Sequence, residues 1–522
     1  MHLDIPQISE TNFRPRSVGH SAFPFALLFS CCLVFFPITS LAAPDWSDEV
    51  LYFVLIDRFA DGDSTNNQRV ERSNPGGFHG GDLKGLAQHL DEIADLGVTA
   101  LWINPVQKQI TQSFYASAPA KLGIPEFRHF GFHGYWIDDF TAMEPQFGTL
   151  DDLKHLVEEA HKRHIKVLLD VVYNHAGYGS PYESRKTSDG QSWMRPGEGN
   201  CDVDPFTCRV GGLPDFRTEL PEVRDYLLKA NIGLAKQAGV DGFRLDTFKH
   251  VETDFWLEHR RRTRAELGNN FFLLAEYWGG DESSLDPFFA RDEIDAGFDF
   301  GFKGNCEAFA NGRGRGVAYG AYLASRHRVR KGYLLAHYLS DHDVPMALYE
   351  LNNDKDKFRI CAAIQMTSIG IPVIYYGEEV ARAGSEWPLN RTDMPWGDRD
   401  IMPGKGLARD ESMRAYYKAL LRIRHQHPAL SRGDYTLVSG PKDAVLAYLR
   451  HDVNSDDSVM VLVNRDSRES KADFALPVAW GGKPVVDELE RKPVTVAAGR
   501  MEITMPPESV RILSLSSGKV PH

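Results

Sequence analysis

Cysteine is scarce in this chain. There are six in 522 residues, with no CxxC pair and no cysteine–histidine cluster, which argues against a thiolate metal centre. Positive charge is also short. Lysine and arginine total 59 against 72 acids, giving a net charge of −13 and a pI near 5.8. Neither nucleic acid nor an anionic membrane is therefore an expected partner. Long apolar runs are missing apart from one, residues 22–37. Arg14 and Arg16 precede it and Ser40-Leu41-Ala42-Ala43 follows. That is the basic start, apolar middle and small-residue end of a secretory signal, too short and too poorly flanked for a membrane span. Residues 1–43 are expected to be removed on export to the periplasm or the medium, leaving no stable membrane anchor. Cys31 and Cys32 lie inside the run rather than after it, which argues against a lipoprotein anchor. The rest has no internal repeat and no low-complexity linker, so no further appended module is expected.

What is present is a large apolar fraction, 42%, enough for a barrel of several hundred residues with a second domain. Strand-like runs occur at 50–56, 98–103, 166–172, 239–245, 271–275, 296–298, 333–339 and 371–376. Helical stretches lie between most of them, such as 150–164 and 221–238. Eight such alternations predict a parallel (β/α)8 barrel over residues 44–432. Residues 176–217 break the pattern, being rich in Gly, Ser, Pro and Asp without helical period, and read as an insertion after the third strand. Beyond the helix ending near His427, short strands at 435–438, 445–448, 458–464 and 510–514 predict a small antiparallel β-domain over residues 433–522.

Four segments carry the chemistry: DVVYNH (170–175), GFRLDTFKH (242–250), LLAEYW (273–278) and YLSDHD (338–343). Each is an apolar run ending in acids, histidines or an arginine. A lone strand-end aspartate is more often a helix cap, but four such segments in one order are hard to reach by chance. In a barrel, the C-terminal strand ends share one mouth, so Asp246, Glu276 and Asp343 converge there. Converging carboxylates suggest glycoside hydrolysis.

The quartet resembles the signature regions of glycoside hydrolase family 13, the α-amylase family. The resemblance implies Asp246 as nucleophile, Glu276 as general acid/base and Asp343 as a third acid on the sugar hydroxyls. It places Arg244, His175, His342 and Arg391 around the same sugar, with Tyr135 of HGYW (133–136) beneath it. Arg244 is expected to hold Asp246 ionised, and an apolar setting to raise Glu276. Lys249-His250 matches the pair that α-amylases and cyclodextrin glycosyltransferases carry after the nucleophile. A long α-1,4-glucan, cut internally by a monomeric enzyme, is the implied substrate. A transglycosylase or cyclomaltodextrin-acting enzyme of the same family is the alternative, and a non-catalytic carbohydrate-binding relative is disfavoured because all three acids are present. Two departures stand out: Asp341 where the family commonly has Asn, and Trp387 where many relatives have Asp.

The resemblance also implies calcium at one or two sites. DRFADGDSTNN (57–67) with GGD (80–82) would offer Asp61, Asp63, Asn66, Asn67, the Gly80 carbonyl and Asp82, an oxygen set suited to that ion. Asn174, Asp215 and the His250 carbonyl would form the second. Cys201 and Cys208, in CDVDPFTC, read as a small disulfide loop in an exported chain, while Cys306 and Cys361 are left as buried thiols or a pair.

Overall fold

The computed structural model describes residues 45–515 apart from 198, 202, 441, 478–479 and 497–498; the expected signal segment lies outside these residues. Eight parallel strands close a barrel: Leu51–Val54, Ala100–Ile103, Lys166–Val171, Gly242–Leu245, Phe272–Ala275, Ala296–Phe298, Leu334–Tyr338 and Ile371–Tyr375. Each pairs with its neighbours in sequence, and the first also pairs with the eighth. Runs such as LYFV and ALWI are fully buried, as strands covered on both faces must be. Inside the barrel Phe53 stacks on Trp102, ring centroids 3.6 Å apart.

All eight expected strands are present, but several begin later than the sequence suggests. The fourth starts at Gly242 rather than 239 because the preceding helix, Pro221–Ala238, ends on Gly239 at φ 76°, whose N–H donates to Ala235 O. That left-handed cap suits glycine, and the chain needs two more residues to turn into the barrel.

Two features were not anticipated. Residues 104–149, after the second strand, carry two small hairpins: Gln107–Gln109 with Ile137–Met143, and Phe114–Ala116 with Phe127–His129. Most of their strands have three residues, too few to declare a period. The C-terminal region holds more strands than expected. A six-stranded antiparallel sheet gains Val485–Asp487 and Lys492–Val494, and a separate pair joins Ser470–Ala475 to Arg500–Met505. Charged residues on their outer faces and Pro493 hide these strands from an apolar-pattern reading. Arg450 fastens this region to the barrel by donating to Thr367 O, Leu430 O and Gly433 O.

Among its described residues the segment 176–217 has no long strand. It is tied down by isolated bridges, His175 to Asp215 and Met194 to Phe216. Cys201 and Cys208 form a disulfide within it, and Cys306 and Cys361 are buried thiols.

Candidate active site

The parallel register builds the centre of the site. Asp170, in the third strand, stands opposite Arg244, in the fourth. Asp246 and Glu276 each follow directly after a strand, at equivalent heights on neighbouring strands. Arg244, only 2% exposed, binds all three acids. Its Nη1 lies 3.0 Å from Asp170 Oδ1 and 2.8 Å from Asp246 Oδ1, and its Nη2 lies 2.8 Å from Glu276 Oε1. The two ends of one guanidinium thus hold Asp246 and Glu276 at the same level of the barrel mouth, where both carboxyl groups can face one sugar.

Thr247 bridges the same pair. Its N–H donates to Glu276 Oε2 at 2.8 Å and its hydroxyl to Asp246 Oδ2 at 3.1 Å. To do so it adopts φ 47°, ψ 36°, a left-handed backbone that costs a β-branched residue ~1–3 kcal/mol.

One arginine cannot neutralise three buried carboxylates. Burial pushes Glu276 well above the ordinary carboxylate range, opposed by Arg244 and reinforced by Asp246 and Asp343. Burial likewise lifts Asp170 to about 6, against the pull of Arg244. The push of burial lets Glu276 keep a proton, as a general acid must.

Asp343 is more open. Arg391 Nη2 donates to its Oδ1 at 2.8 Å, and His342 Nε2 lies 3.2 Å from its Oδ2. Asp341, the unusual acid, turns to His342, with Oδ1 2.9 Å from Nδ1. Burial pushes the Asp341 carboxyl up, but the pairing with His342 outweighs it and holds the acid below its usual range. Asp341 thus stands beside one ring nitrogen of His342 and Asp343 beside the other. Tyr135 stacks on His342 at 5.3 Å between centroids, and its hydroxyl donates to Asp170 Oδ2 at 2.8 Å.

Asp246, Thr247, Glu276, His342 and Asp343 line one cavity of about 680 Å³, together with Tyr135, His175, Lys249, His250 and Arg391. Arg244 acts from beneath it. Burial holds the imidazoles of His133 and His175 below their ordinary range, and the Nε2 of each is buried without a protein partner, free for a sugar hydroxyl. His250 is oriented by Pro205 O, 2.9 Å from its Nδ1, within the disulfide loop. Sequence reasoning missed several residues. Asp170 sat in the first segment, but an acid inside an apolar strand carried no mark of its partner across the barrel. Thr247 had no signal, since its role comes from backbone geometry. His129 also lines the cavity, from a strand of three residues too short to show a period, and Trp136, Trp278 and Trp387, each already picked out in the sequence, join it there.

The two oxygen clusters also come together. Asn67 Nδ2 donates to Asp61 Oδ2 at 2.7 Å, Asn66 Nδ2 to Asp82 Oδ2 at 3.1 Å, and Asp63 N to Asp82 Oδ2 at 2.8 Å. A Cβ on Gly80 would sit 2.8 Å from Asn67 Oδ1 and 3.2 Å from Asp61 Oδ2. The Asn66 and Asn67 side-chain oxygens are buried with no donor. An all-oxygen set with orphaned acceptors fits a hard divalent cation, although Arg72 and Lys84 already pair with Asp61 and Asp63. At the second cluster the Asn174 amide faces His250 O and Asp215 Oδ1. With its nitrogen inward it donates to them at 3.0 and 3.2 Å; with its oxygen inward the three form a hard-ligand cradle. Burial pushes Asp215 up to about 8 despite Arg195 beside it.

Comparison with known proteins agrees with this geometry. The family model for the α-amylase catalytic domain matches residues 53–206 and 206–414, and that for the maltogenic amylase C-terminal domain matches 435–512. A cyclomaltodextrinase from Bacillus sp is 30% identical over 82% of this chain and 75% of its own length. Neopullulanase 2 from Thermoactinomyces vulgaris is 29% identical over 90% of this chain and 78% of its own. Among solved structures, an α-amylase from Geobacillus thermoleovorans complexed with acarbose superposes with a TM-score of 0.77 at 30% identity, over 91% of this chain and 99% of that one. A barrel whose strand ends carry the Arg244-linked acids, matched over most of its length by these relatives, belongs to glycoside hydrolase family 13, the α-amylase family.

Proposed function

We propose that the protein is an exported, calcium-binding hydrolase that cleaves α-1,4-glucosidic bonds in maltooligosaccharides and related α-glucans with retention. The grip of Arg244 on both Asp246 and Glu276 is the observation that carries this reading. Asp246 attacks the anomeric carbon as Glu276 gives its proton to the departing glycosidic oxygen, leaving a glycosyl ester on Asp246. Glu276, now ionised, takes a proton from water. The resulting hydroxide opens the ester, which restores both carboxyl groups and releases the sugar. Asp343, held by Arg391 and His342, binds hydroxyls of the sugar under attack, and Tyr135 gives it a flat face. Lys249 and His250 hold the leaving chain.

Relatives named cyclomaltodextrinase and maltogenic α-amylase favour cyclic and short glucans among the substrates. A sugar hydroxyl replacing water in the second step would give transglycosylation. Incubation with maltoheptaose, a cyclomaltodextrin and pullulan, with products resolved over time, tests the substrate class. Linear maltooligosaccharides should come from the first two, with the α-1,6 bonds of pullulan largely spared. Mainly cyclic products from maltoheptaose would move the reading to a transglycosylase.

Calcium would be held by Asp61, Asp63, Asn66, Asn67, Gly80 O and Asp82, and by Asn174, Asp215 and His250 O. It would supply positive charge that ties these loops together. An ion that binds the folded state alone stabilises it by about 2.7 kcal/mol at one hundred times Kd. Excess chelator should therefore lower the melting temperature by several degrees, and Asp61→Ala with Asp63→Ala should reduce that response. A melting temperature indifferent to chelator would contradict both sites.

A further inference from the structure

The two sides of the cleft are built differently. Asp246 and Glu276 follow the fourth and fifth strands, and Trp278 beside them is 50% exposed. Across the mouth stand the second, first and eighth strands, which are neighbours in the barrel. Loops from two of these meet. The hairpin Phe114–Ala116/Phe127–His129 leaves after the second strand and residues 384–391 follow the eighth. Phe127 and His129 pack on Trp387, with centroids 5.2 and 5.1 Å away, and Lys121 Nζ pairs with Glu386 Oε1. Both His129 and Trp387 line the cavity.

Each half of this bridge is anchored. Phe130 N donates to Gly76 O at 2.8 Å. Phe127 lies so close over Gly76 that a Cβ there would come within 2.8 Å of the ring, so glycine is required. On the other side Asn390 Nδ2 donates to His342 O at 2.7 Å, and Arg391 Nε to the same oxygen at 2.8 Å. The exposed Lys121–Glu386 pair adds little by itself; the ring contacts make the wall.

The wall has a polarity. A general acid faces the leaving group, so the open side near Glu276, Lys249 and Trp278 takes the reducing-side chain. The bridged side, next to Arg391 and Asp343, takes the non-reducing end. His129 Nε2 is buried there without a protein partner, placed for a terminal hydroxyl. Resting on the hydrolase reading above, we infer that Trp387, Phe127 and His129 close the non-reducing end of the cleft, so that the enzyme cuts linear chains a short fixed distance from that end rather than internally.

The test uses p-nitrophenyl maltoheptaoside with its terminal 4- and 6-hydroxyls free, and the same compound capped by a benzylidene group. The wild-type protein should show kcat/KM at least tenfold lower on the capped compound. Trp387→Ala combined with Lys121→Ala should bring that ratio toward one, and Lys121→Ala alone should shift it slightly. Equal wild-type rates on both compounds would overturn the closed end, as would an unchanged ratio in the folded double variant. Cleavage of neither compound would overturn the hydrolase reading, and this inference with it.

Discussion

Asp246→Asn should lower hydrolysis of maltooligosaccharides by about a thousandfold or more while leaving the melting temperature close to that of the wild type. An amide of the same shape keeps its place beside Arg244 but cannot form the glycosyl ester, so the covalent step is lost. Because the loss lies in that step, it should persist with α-maltosyl fluoride, whose leaving group needs no proton. Rates on either substrate within tenfold of the wild type would remove Asp246 from the role of nucleophile.

Glu276→Gln should behave differently on the same two substrates. Hydrolysis of natural chains should fall by roughly a hundred- to ten-thousandfold, the share that general acid catalysis commonly supplies. Formation of the ester from the fluoride should be much less impaired. The pH dependence gives a second readout. Burial raises the Glu276 carboxyl well above its ordinary value, so the proton needed for catalysis is retained to higher pH and lost as pH rises through the raised value. The alkaline limb of kcat/KM should therefore lie well above the usual carboxylate range, and in Glu276→Gln it should disappear. Equal losses on both substrates would place Glu276 outside proton transfer.

The placement of these residues was largely legible in the sequence because barrel topology converts short local patterns into a common site. An apolar run followed by Asp or Glu is enough to put a carboxylate at the mouth, whichever strand bears it. Arg244 was legible for the same reason, since a residue two before Asp246 shares its face. What stayed hidden depends on register or on loops. Asp170 meets Arg244 only because the third and fourth strands pair with those residues opposite. Asp341 read only as a departure from the family's usual asparagine, and the structure sets it beside His342 Nδ1. Trp387 replaces an expected aspartate. Its contacts come from a hairpin more than 250 residues away in the chain, built on three-residue strands with no readable period. The C-terminal strands from 470 to 505 were missed for a related reason, because alternation with charged residues over three to six positions resembles a loop.

The central claim is that Asp246 and Glu276 act in two successive displacements at one anomeric carbon. Proton NMR of the product in the first minutes after enzyme is mixed with maltoheptaose tests it most directly, since the anomeric signals report configuration before mutarotation mixes them. The account predicts that the new reducing end appears first as the α-anomer and only later equilibrates. A β-anomer appearing first would mean a single displacement by water, and would contradict the assignment of Asp246 as nucleophile.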